Sequence, residues 1–230
     1  MPITERHETV TLHGGNENLS IFHISDIHLW CSTGILDKLK TLISNANPDL
    51  IIATGDYYDL PKGAKNFRNF LTEICKTHTV VLIKGNHDNM YGSKISNLLS
   101  GIENCFLVET SIYRYQSKKG YIYTITSWKH KNNLPNNTGE KNIVLIHNPE
   151  KIKTEELANI DLVLSGHLHG GQIILWKTKN NGYFPGCMFY NYCTDRKQIG
   201  DTTLIVSKGL GDMFPFRLNC PKEVVRINIE

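Results

Sequence analysis

Short apolar runs alternate with amphipathic segments in the first part of the chain. Residues 19–25, 50–54 and 79–83 are rich in Ile, Leu, Val or Phe, a pattern typical of buried strands. Between these runs, residues 35–43 and 66–75 carry apolar side chains at helical spacing. The alternation of strand and helix predicts α/β construction with parallel strands.

The rest of the chain contains further apolar runs with fewer helical segments between them. The runs at 142–146 and 161–165 continue the strand pattern. The segments 121–126, 203–207 and 223–229 look more like strands of a second sheet. We therefore predict an α/β fold with two facing mixed β-sheets flanked by helices, that is, an α/β/β/α sandwich.

Composition and charge are those of an ordinary globular protein. The chain has 230 residues, of which 40% are hydrophobic and 20% charged, and its formal net charge is +3. This length predicts a single domain over residues 1–230, and so mild a positive charge does not indicate dedicated nucleic-acid binding. No apolar run approaches the ~18–20 residues of a membrane span, and the first residues lack the pattern of a signal peptide. Because the six cysteines are scattered without a metal-binding pair, we expect reduced thiols, a cytoplasmic location and no transmembrane segment.

Polar residues of metal-binding type follow five of the apolar runs. The motifs are Asp26-Ile27-His28, Gly55-Asp56-Tyr57-Tyr58-Asp59, Gly85-Asn86-His87-Asp88, His147-Asn148-Pro149 and Gly166-His167-Leu168-His169. Sheets of this kind place their sites at the carboxyl ends of the strands, so these side chains are expected to meet. They offer the carboxylate, amide and imidazole ligands that two adjacent divalent metals require. A turn or a solvated side chain explains any one motif alone, but the whole series predicts a binuclear metal hydrolase.

These motifs resemble the calcineurin-like metallophosphoesterase superfamily. The resemblance runs from Asp26 through His169 and continues through Gly170-Gly171-Gln172 and Gly209-Leu210-Gly211. The string Gly-His-x-His-Gly-Gly-Gln and the late Pro215-Phe216-Arg217 look most like a bacterial subgroup of small phosphodiesterases and pyrophosphatases.

The resemblance implies two metal ions and a division of the ligands between them. One ion would be held by Asp26, His28, Asp56 and His169, and the other by Asp56, Asn86, His147 and His167. Asp56 would bridge the ions, and a hydroxide shared by them would attack phosphorus. Mixed oxygen and nitrogen ligands suit Mn²⁺, Fe or Zn²⁺, so the identity of the metals stays open.

The resemblance also assigns residues that do not bind metal. His87 would protonate the leaving oxygen or stabilise the charged phosphate, and Asp59 would orient His87. Asp88 is a further candidate supporting residue. Arg217 is a candidate for binding a substrate phosphate, with a surface charge beside a proline turn as the other interpretation.

The favoured function is a metal-dependent phosphodiesterase acting on a phosphorylated small molecule or a nucleotide-type substrate. A pyrophosphatase of the kind that cleaves UDP-diacylglucosamine is the alternative, and residues 182–190 would be its apolar cap unless they form a simple hairpin. A phosphoprotein phosphatase is disfavoured because Leu60 stands where such relatives carry an arginine. A scaffold that has lost its metals is disfavoured because every ligand position is intact.

Overall fold

The computed structural model describes residues 2–12, 19–89, 94–136, 139–212 and 216–230. Its α-helices are α1 (Gly34–Ala46), α2 (Pro61–Ile74) and α3 (Ile95–Leu99). Its strands are β1 (Ile3–Val10), β2 (Leu19–Ile24), β3 (Leu50–Ala53), β4 (Val80–Leu82), β5 (Cys105–Leu107), β6 (Tyr113–Gln116), β7 (Ile122–Ser127), β8 (Lys141–Leu145), β9 (Leu162–Ser165), β10 (Ile174–Lys177), β11 (Tyr183–Pro185), β12 (Arg196–Ile199), β13 (Thr202–Val206) and β14 (Lys222–Ile229).

The strands form two six-stranded mixed sheets and one small hairpin. The first sheet has the order β1-β14-β2-β3-β4-β5, in which β2 to β5 run parallel and β14 runs antiparallel to β2. The second has the order β12-β13-β9-β8-β7-β6, with a parallel centre and an antiparallel strand at each edge. Strands β10 and β11 pair antiparallel as a separate hairpin.

Three apolar cores hold these layers together. The central core lies between the sheets, where Ile21 and Ile52 of the first sheet pack with Ile143 and Leu164 of the second. A second core joins the other face of the first sheet to helices α1, α2 and α3. A third covers the outer face of the second sheet with one-turn 3₁₀ segments and residues of the hairpin. The predicted arrangement of two facing mixed sheets flanked by helices is thus confirmed.

The prediction for residues 223–229 is wrong in one respect, because this segment belongs to the first sheet. Strand β14 lies between β1 and β2 and is hydrogen-bonded to both. Its side chains are largely buried on both faces, which suits a central strand, but only pairing between distant segments of the chain decides which sheet it joins. Strand β1, absent from the sequence prediction, supplies the other partner.

The structure also decides the start of α2 and the form of residues 182–190. Helix α2 begins at Pro61 rather than at residue 66, since proline has no N–H to leave unpaired in the first turn. Residues 182–190 contain strand β11, which pairs with β10, so the hairpin interpretation is the one that the structure shows. Among the described residues, no helix is long and apolar enough to cross a membrane.

Candidate metal centre

The candidate residues occupy the loops that leave the parallel strands of both sheets. Beyond the end of β2, the N–H of Asp26 donates to the carbonyl of Gly55 at 2.9 Å, and the N–H of His28 donates to the carbonyl of Asp56 at 3.0 Å. In the second sheet, the N–H of Gly166 donates to the carbonyl of His147 at 3.2 Å. Neighbouring loops are therefore held to one another beyond the ends of their strands.

The backbone is left-handed at many of these positions. The φ angles are 51° at Asp26, 50° at His28, 56° at Asp56, 71° at His167 and 48° at His169. A positive φ is uncommon outside glycine and costs free energy, so it persists only where surrounding contacts enforce it. Such a concentration in one place is typical of a functional site.

Two glycines allow the loops to approach one another closely. A Cβ atom on Gly85 would lie 2.1 Å from Oδ1 of Asp56, and one on Gly166 would lie 2.2 Å from Oδ2 of Asp26. No side chain fits at such distances. These glycines of the Gly-Asn-His-Asp and Gly-His-x-His motifs thus make room for carboxylates supplied by other loops.

The first cluster contains Asp26, His28 and His169, whose ligand-type atoms lie within 4.8 Å of one another. Nε2 of His169 is 3.6 Å from Oδ1 of Asp26, and the backbone N–H of His167 donates to Oδ2 of Asp26 at 2.9 Å. Burial alone would raise the pKa of Asp26, but His169 and His147 outweigh it and lower the pKa to about 2. The Asp26 carboxylate is therefore charged and available to a cation.

The second cluster contains Asp56, His147 and His167. Nε2 of His147 lies 3.1 Å from each of three atoms, namely Oδ2 of Asp56, Oδ1 of Asn86 and Nδ1 of His167. Burial lowers the pKa of His147, but the hydrogen bond with Asp56 outweighs this and raises the pKa to about 9. Carboxylate, amide and imidazole groups thus converge on one point.

Asp56 lies between the two clusters. Its Oδ2 atom is 3.1 Å from Nε2 of His147 and 3.8 Å from Nε2 of His28. Its Oδ1 atom accepts the backbone N–H of His87 at 2.8 Å. Burial alone would raise the pKa of this carboxyl, but the hydrogen bond from His147 keeps it below its usual range.

The orientation of two histidine rings fits metal binding. Nδ1 of His147 donates to the carbonyl of Thr54 at 2.7 Å, and Nδ1 of His28 is bonded to Asp59 at 2.9 Å. In each ring, Nε2 is thus the nitrogen that faces Asp56, and a bound cation would replace any proton there. Nε2 of His28 is buried and has no hydrogen-bond partner among the described residues. A buried nitrogen of this kind, oriented by a carboxylate behind it, is what a metal ligand requires.

His169 differs from the other candidate ligands through its contact with Arg217. One guanidinium nitrogen of Arg217 lies 3.2 Å from Nδ1 of His169, and Arg217 also donates to Asp212 at 2.8 Å. A guanidinium only donates, so Nδ1 of His169 accepts in this contact. Arg217 is buried, and its side chain is 1% exposed. It therefore lies behind His169, and its assignment to substrate binding stays a prediction.

His87, Asp59 and His28 form a third group of neighbouring polar side chains. Nδ1 of His87 lies 2.7 Å from Oδ1 of Asp59, and the His87 side chain is 27% exposed. Burial alone would raise the pKa of Asp59, but the hydrogen bond with His28 outweighs this and lowers the pKa to about 2. Nε1 of Trp30 donates to Oδ2 of Asp59 at 2.8 Å. The sequence analysis did not identify Trp30 as a residue of the site. Its position two residues after His28 does not indicate that its indole N–H contacts Asp59.

Asp88 supports the loops rather than facing the clusters. Its carboxylate is fully buried and accepts the backbone N–H groups of Asp56, Tyr57 and Gly85, each at 2.8 Å. Burial is the main cause that raises the pKa of Asp88, to about 6. Asp88 thus fixes the loop after β4 against the loop after β3, and so the position of Asp56.

The candidate metal ligands fall into two neighbouring groups. All seven candidate ligands lie in or beside the two clusters, with His169 beside Asp26 and His28, and His167 beside Asp56 and His147. His167 and His169 thus lie in different clusters, as the resemblance implies. Their separation by two residues does not by itself indicate which cluster each one joins.

Comparison with known proteins matches this chain to phosphoesterases. A model of the family described as calcineurin-like phosphoesterase matches residues 19–171. An uncharacterised metallophosphoesterase of Campylobacter jejuni is 29% identical over 234 residues, which cover 93% of this chain but only 60% of that protein. The phosphodiesterase YaeI of Escherichia coli is 23% identical over 236 residues, covering 97% of this chain and 87% of YaeI.

The fold is shared with solved structures at low sequence identity. The crystal structure of TT1561 of Thermus thermophilus matches with a TM-score of 0.53 and 13% identity, covering 84% of this chain and 91% of that one. The matched family segment spans more than half of the chain and contains both clusters. The chain therefore belongs to the calcineurin-like phosphoesterase family.

Proposed function

We propose that this protein is a phosphodiesterase that depends on two divalent metal ions. The observation that carries the proposal is the position of the Asp56 carboxylate between Nε2 of His28 and Nε2 of His147. A carboxylate shared by two histidine-containing clusters is the arrangement expected of a two-metal phosphoesterase.

The residues present fit two ions. Asp26, His28 and His169 would hold one ion, Asn86, His147 and His167 the other, and Asp56 both. Bound divalent ions would polarise the phosphate oxygens and lower the pKa of a water molecule at the site. The ligands suit Mn²⁺, Fe or Zn²⁺ about equally, because all three accept imidazole together with oxygen ligands.

His87 is proposed as the proton donor to the leaving oxygen. Its Nδ1 atom is held by Asp59 at 2.7 Å, which leaves Nε2 as the atom able to reach a substrate. Its partly exposed side chain stands beside His28, with ring centroids 4.7 Å apart. A histidine oriented by a carboxylate and open to solvent is well placed to donate a proton to the leaving oxygen.

A second candidate function, a pyrophosphatase acting on a nucleotide-linked lipid, is favoured not by the pairing of the hairpin but by the apolar side chains exposed on it and after it. Trp176 of β10 is 54% exposed, and Met188 and Phe189 after β11 are 68% and 76% exposed. The hairpin is joined to the centre through the turn His169–Gly171, which precedes β10. Several large apolar side chains left exposed on one hairpin and the turn after it are typical of a surface that meets lipid or another protein.

The first test is hydrolysis of bis(p-nitrophenyl) phosphate by chelator-treated protein, before and after addition of Mn²⁺, Fe²⁺ or Zn²⁺. We expect negligible turnover without metal and its recovery with at least one of these ions. Protein that is folded by circular dichroism and inactive with all three would contradict the phosphodiesterase proposal. Cleavage of a nucleotide pyrophosphate but not of the diester would favour the second candidate.

A further inference from the structure

Three polar side chains lie beside the apolar core between the sheets, close to the candidate metal centre. His23 belongs to β2, where it shares a face with Ile21 of the central core, and Ser25 and Thr54 follow β2 and β3. All three are 0% exposed, as is Asp26, the candidate ligand that follows Ser25. Buried polar groups need hydrogen-bond partners, so the partners of these side chains bear on their role.

His23, Thr54 and Ser25, here called the His23 network, form a series of hydrogen bonds that ends at Asp26. Nε2 of His23 lies 2.9 Å from Oγ1 of Thr54, and the Thr54 hydroxyl donates to Oγ of Ser25 at 2.8 Å. The Ser25 hydroxyl is in turn hydrogen-bonded to the Asp26 carboxylate. A Cβ atom on Gly166 would lie 1.9 Å from Oγ of Ser25 and 2.2 Å from Oδ2 of Asp26, which places both oxygens beside the same glycine.

The direction of each hydrogen bond in the His23 network follows from the chemistry of the groups. A carboxylate that binds a metal is ionised and only accepts, so the single hydroxyl proton of Ser25 points to Asp26. Ser25 must then accept from Thr54, and Thr54 must accept from an N–H at Nε2 of His23. Nδ1 of His23 is buried and has no hydrogen-bond partner among the described residues, so a second proton there would be a buried charge without an acceptor. His23 is therefore neutral, with its one proton on Nε2.

Hydrogen bonds to Asp26 hold its carboxylate in place within the first cluster. Besides the Ser25 hydroxyl, its Oδ1 and Oδ2 atoms accept the backbone N–H of His167 at 3.1 and 2.9 Å. Oδ1 also lies 3.6 Å from Nε2 of His169, another candidate ligand. Removing a donor that orients a metal ligand typically costs ~10–100-fold in metal affinity. The Ser25 hydroxyl is therefore expected to influence the affinity of the first cluster.

Thr54 is linked to both clusters, but through different groups. Its hydroxyl belongs to the His23 network, whereas its main-chain carbonyl accepts the N–H at Nδ1 of His147 at 2.7 Å. A substitution that removes only the hydroxyl leaves the carbonyl in place. The side chain of Thr54 can therefore be tested without removing the contact to the second cluster.

We propose that His23, Thr54 and Ser25 are positioning residues that set the metal affinity of the first cluster by orienting Asp26. None of the three is a proposed ligand, and they act through the Asp26 carboxylate alone. The inference rests on the proposed function for the role of Asp26 as a ligand. It gives a use to a buried polar network that packing of the central core does not require.

The test is a calorimetric titration of the chelator-treated full chain with Mn²⁺. The wild type should show two binding events, and His169→Ala identifies the event of the first cluster as the one it weakens most. Ser25→Ala should weaken that event about tenfold or more and leave the other unchanged. Thr54→Val, which keeps the shape but loses the hydroxyl, should weaken it about threefold, because each hydrogen bond in such a series strengthens the next. Thr54→Ser keeps a hydroxyl and should bind both ions like the wild type.

Two further comparisons separate the His23 network from general effects of a buried substitution. Ser25→Ala combined with Thr54→Val should weaken the first event no more than Ser25→Ala alone, because Thr54 reaches Asp26 only through Ser25. Thr202→Val is the matched control, since Thr202 is 2% exposed and its hydroxyl donates to a main-chain carbonyl at 2.7 Å. Thr202 begins β13, at the end of the second sheet away from the ligand loops, so this variant should bind both ions normally.

A second measurement needs neither metal nor a variant. Nitrogen NMR of the histidine side chains in the chelator-treated wild type should show His23 neutral, with its proton on Nε2 and in slow exchange with water. A proton on Nδ1 instead would reverse the hydrogen bond to Thr54 and overturn the inference.

Three titration results would also overturn it. Two binding events that are unchanged in Ser25→Ala would mean that the His23 network does not orient a ligand, and the proposed function would stand. Equal weakening of both events in Ser25→Ala would mean a general disturbance of the loops, again without contradicting the proposed function. A wild type that is folded by circular dichroism but binds neither Mn²⁺ nor Zn²⁺ would contradict the proposed function itself, and the inference with it.

Discussion

Oδ1 of Asp59 lies 2.7 Å from Nδ1 of His87, the candidate proton donor. The same oxygen lies 2.9 Å from Nδ1 of His28, a candidate metal ligand. The Asp59 carboxylate therefore orients both a candidate proton donor and a candidate metal ligand. A ligand histidine held by a carboxylate has a fixed proton position and a more basic second nitrogen, so Asp59 links metal binding to proton transfer.

Asp59→Asn should impair both functions at once. The amide keeps the shape of the side chain but loses the charge that holds two rings. We expect the affinity of the first cluster for metal to fall about tenfold or more and kcat for diester hydrolysis to fall with the metal sites saturated. Calorimetric metal titration and steady-state kinetics measure the two effects. Asp37→Asn, at a carboxylate whose side chain is 67% exposed on α1, is the matched control. A change in only one of the two quantities would mean that Asp59 serves a single histidine.

His87→Ala should lower turnover without affecting metal binding. The histidine is not among the proposed ligands, so both metals should bind with nearly unchanged affinity. Loss of a general acid typically lowers turnover by about a hundredfold or more. Metal content by atomic emission and kcat with bis(p-nitrophenyl) phosphate are the measurements, with the exposed His7→Ala as control. Normal turnover in His87→Ala would remove its proposed role.

Asp56→Asn should weaken both metal sites together. The carboxylate lies 3.1 Å from Nε2 of His147 and 3.8 Å from Nε2 of His28, so its charge is shared by the two clusters. The amide of the variant offers one weak ligand oxygen but lacks the negative charge that offsets two cations. Titration of chelator-treated protein with Mn²⁺ should show both binding events shifted to higher concentration. A shift in one event alone would show that Asp56 does not bridge the ions.

Much of the candidate centre is predictable because its residues are tied to strand ends. Asp26, Asp56 and Asn86 follow strands of the first sheet, and His147 and His167 follow strands of the second. Short apolar runs reveal these strands locally, and parallel strands bring the following residues to one edge. The family resemblance then supplies roles that spacing alone leaves open.

The features that the sequence does not predict depend on contacts between distant segments of the chain. Strand β14 joins the first sheet only because β1 and β2 pair with it. The sequence offers Arg217 either as a phosphate-binding residue or as a surface charge beside a proline turn, yet its side chain packs behind His169, 48 positions away in the chain. Asp59 is expected beside His87, but its simultaneous contact with His28 requires the loops after β2 and β3 to lie together. None of these pairings has a local pattern.

A buried group of charges joins residues of the first sheet to residues beside the edge of the second. The Lys208 ammonium lies 2.6 Å from both Oδ1 of Asp195 and Oε2 of Glu223. Arg6 of β1 lies 3.2 Å from Glu223 and 3.4 Å from Asp195. Glu223 and Lys208 are almost completely buried. Removing one member of such a group leaves its partners charged and desolvated, which costs more than the pair contributes.

Asp195→Asn should therefore destabilise the protein at neutral pH and do so less in acid. Burial alone would raise the pKa of Asp195, but Arg6 and Lys208 outweigh it and hold the pKa well below its usual range. Because the folded-state pKa is lower than the unfolded value of about 3.9, the stabilisation is complete above that pH and declines as the pH falls below it.

We expect the variant to lose about 3 kcal/mol of unfolding free energy at pH 7 and the difference from wild type to shrink below about pH 4. Urea unfolding of chelator-treated wild type and variant at several pH values measures this difference. A difference that stays constant from pH 7 to pH 3 would show that the ionised Asp195 is not what stabilises the group.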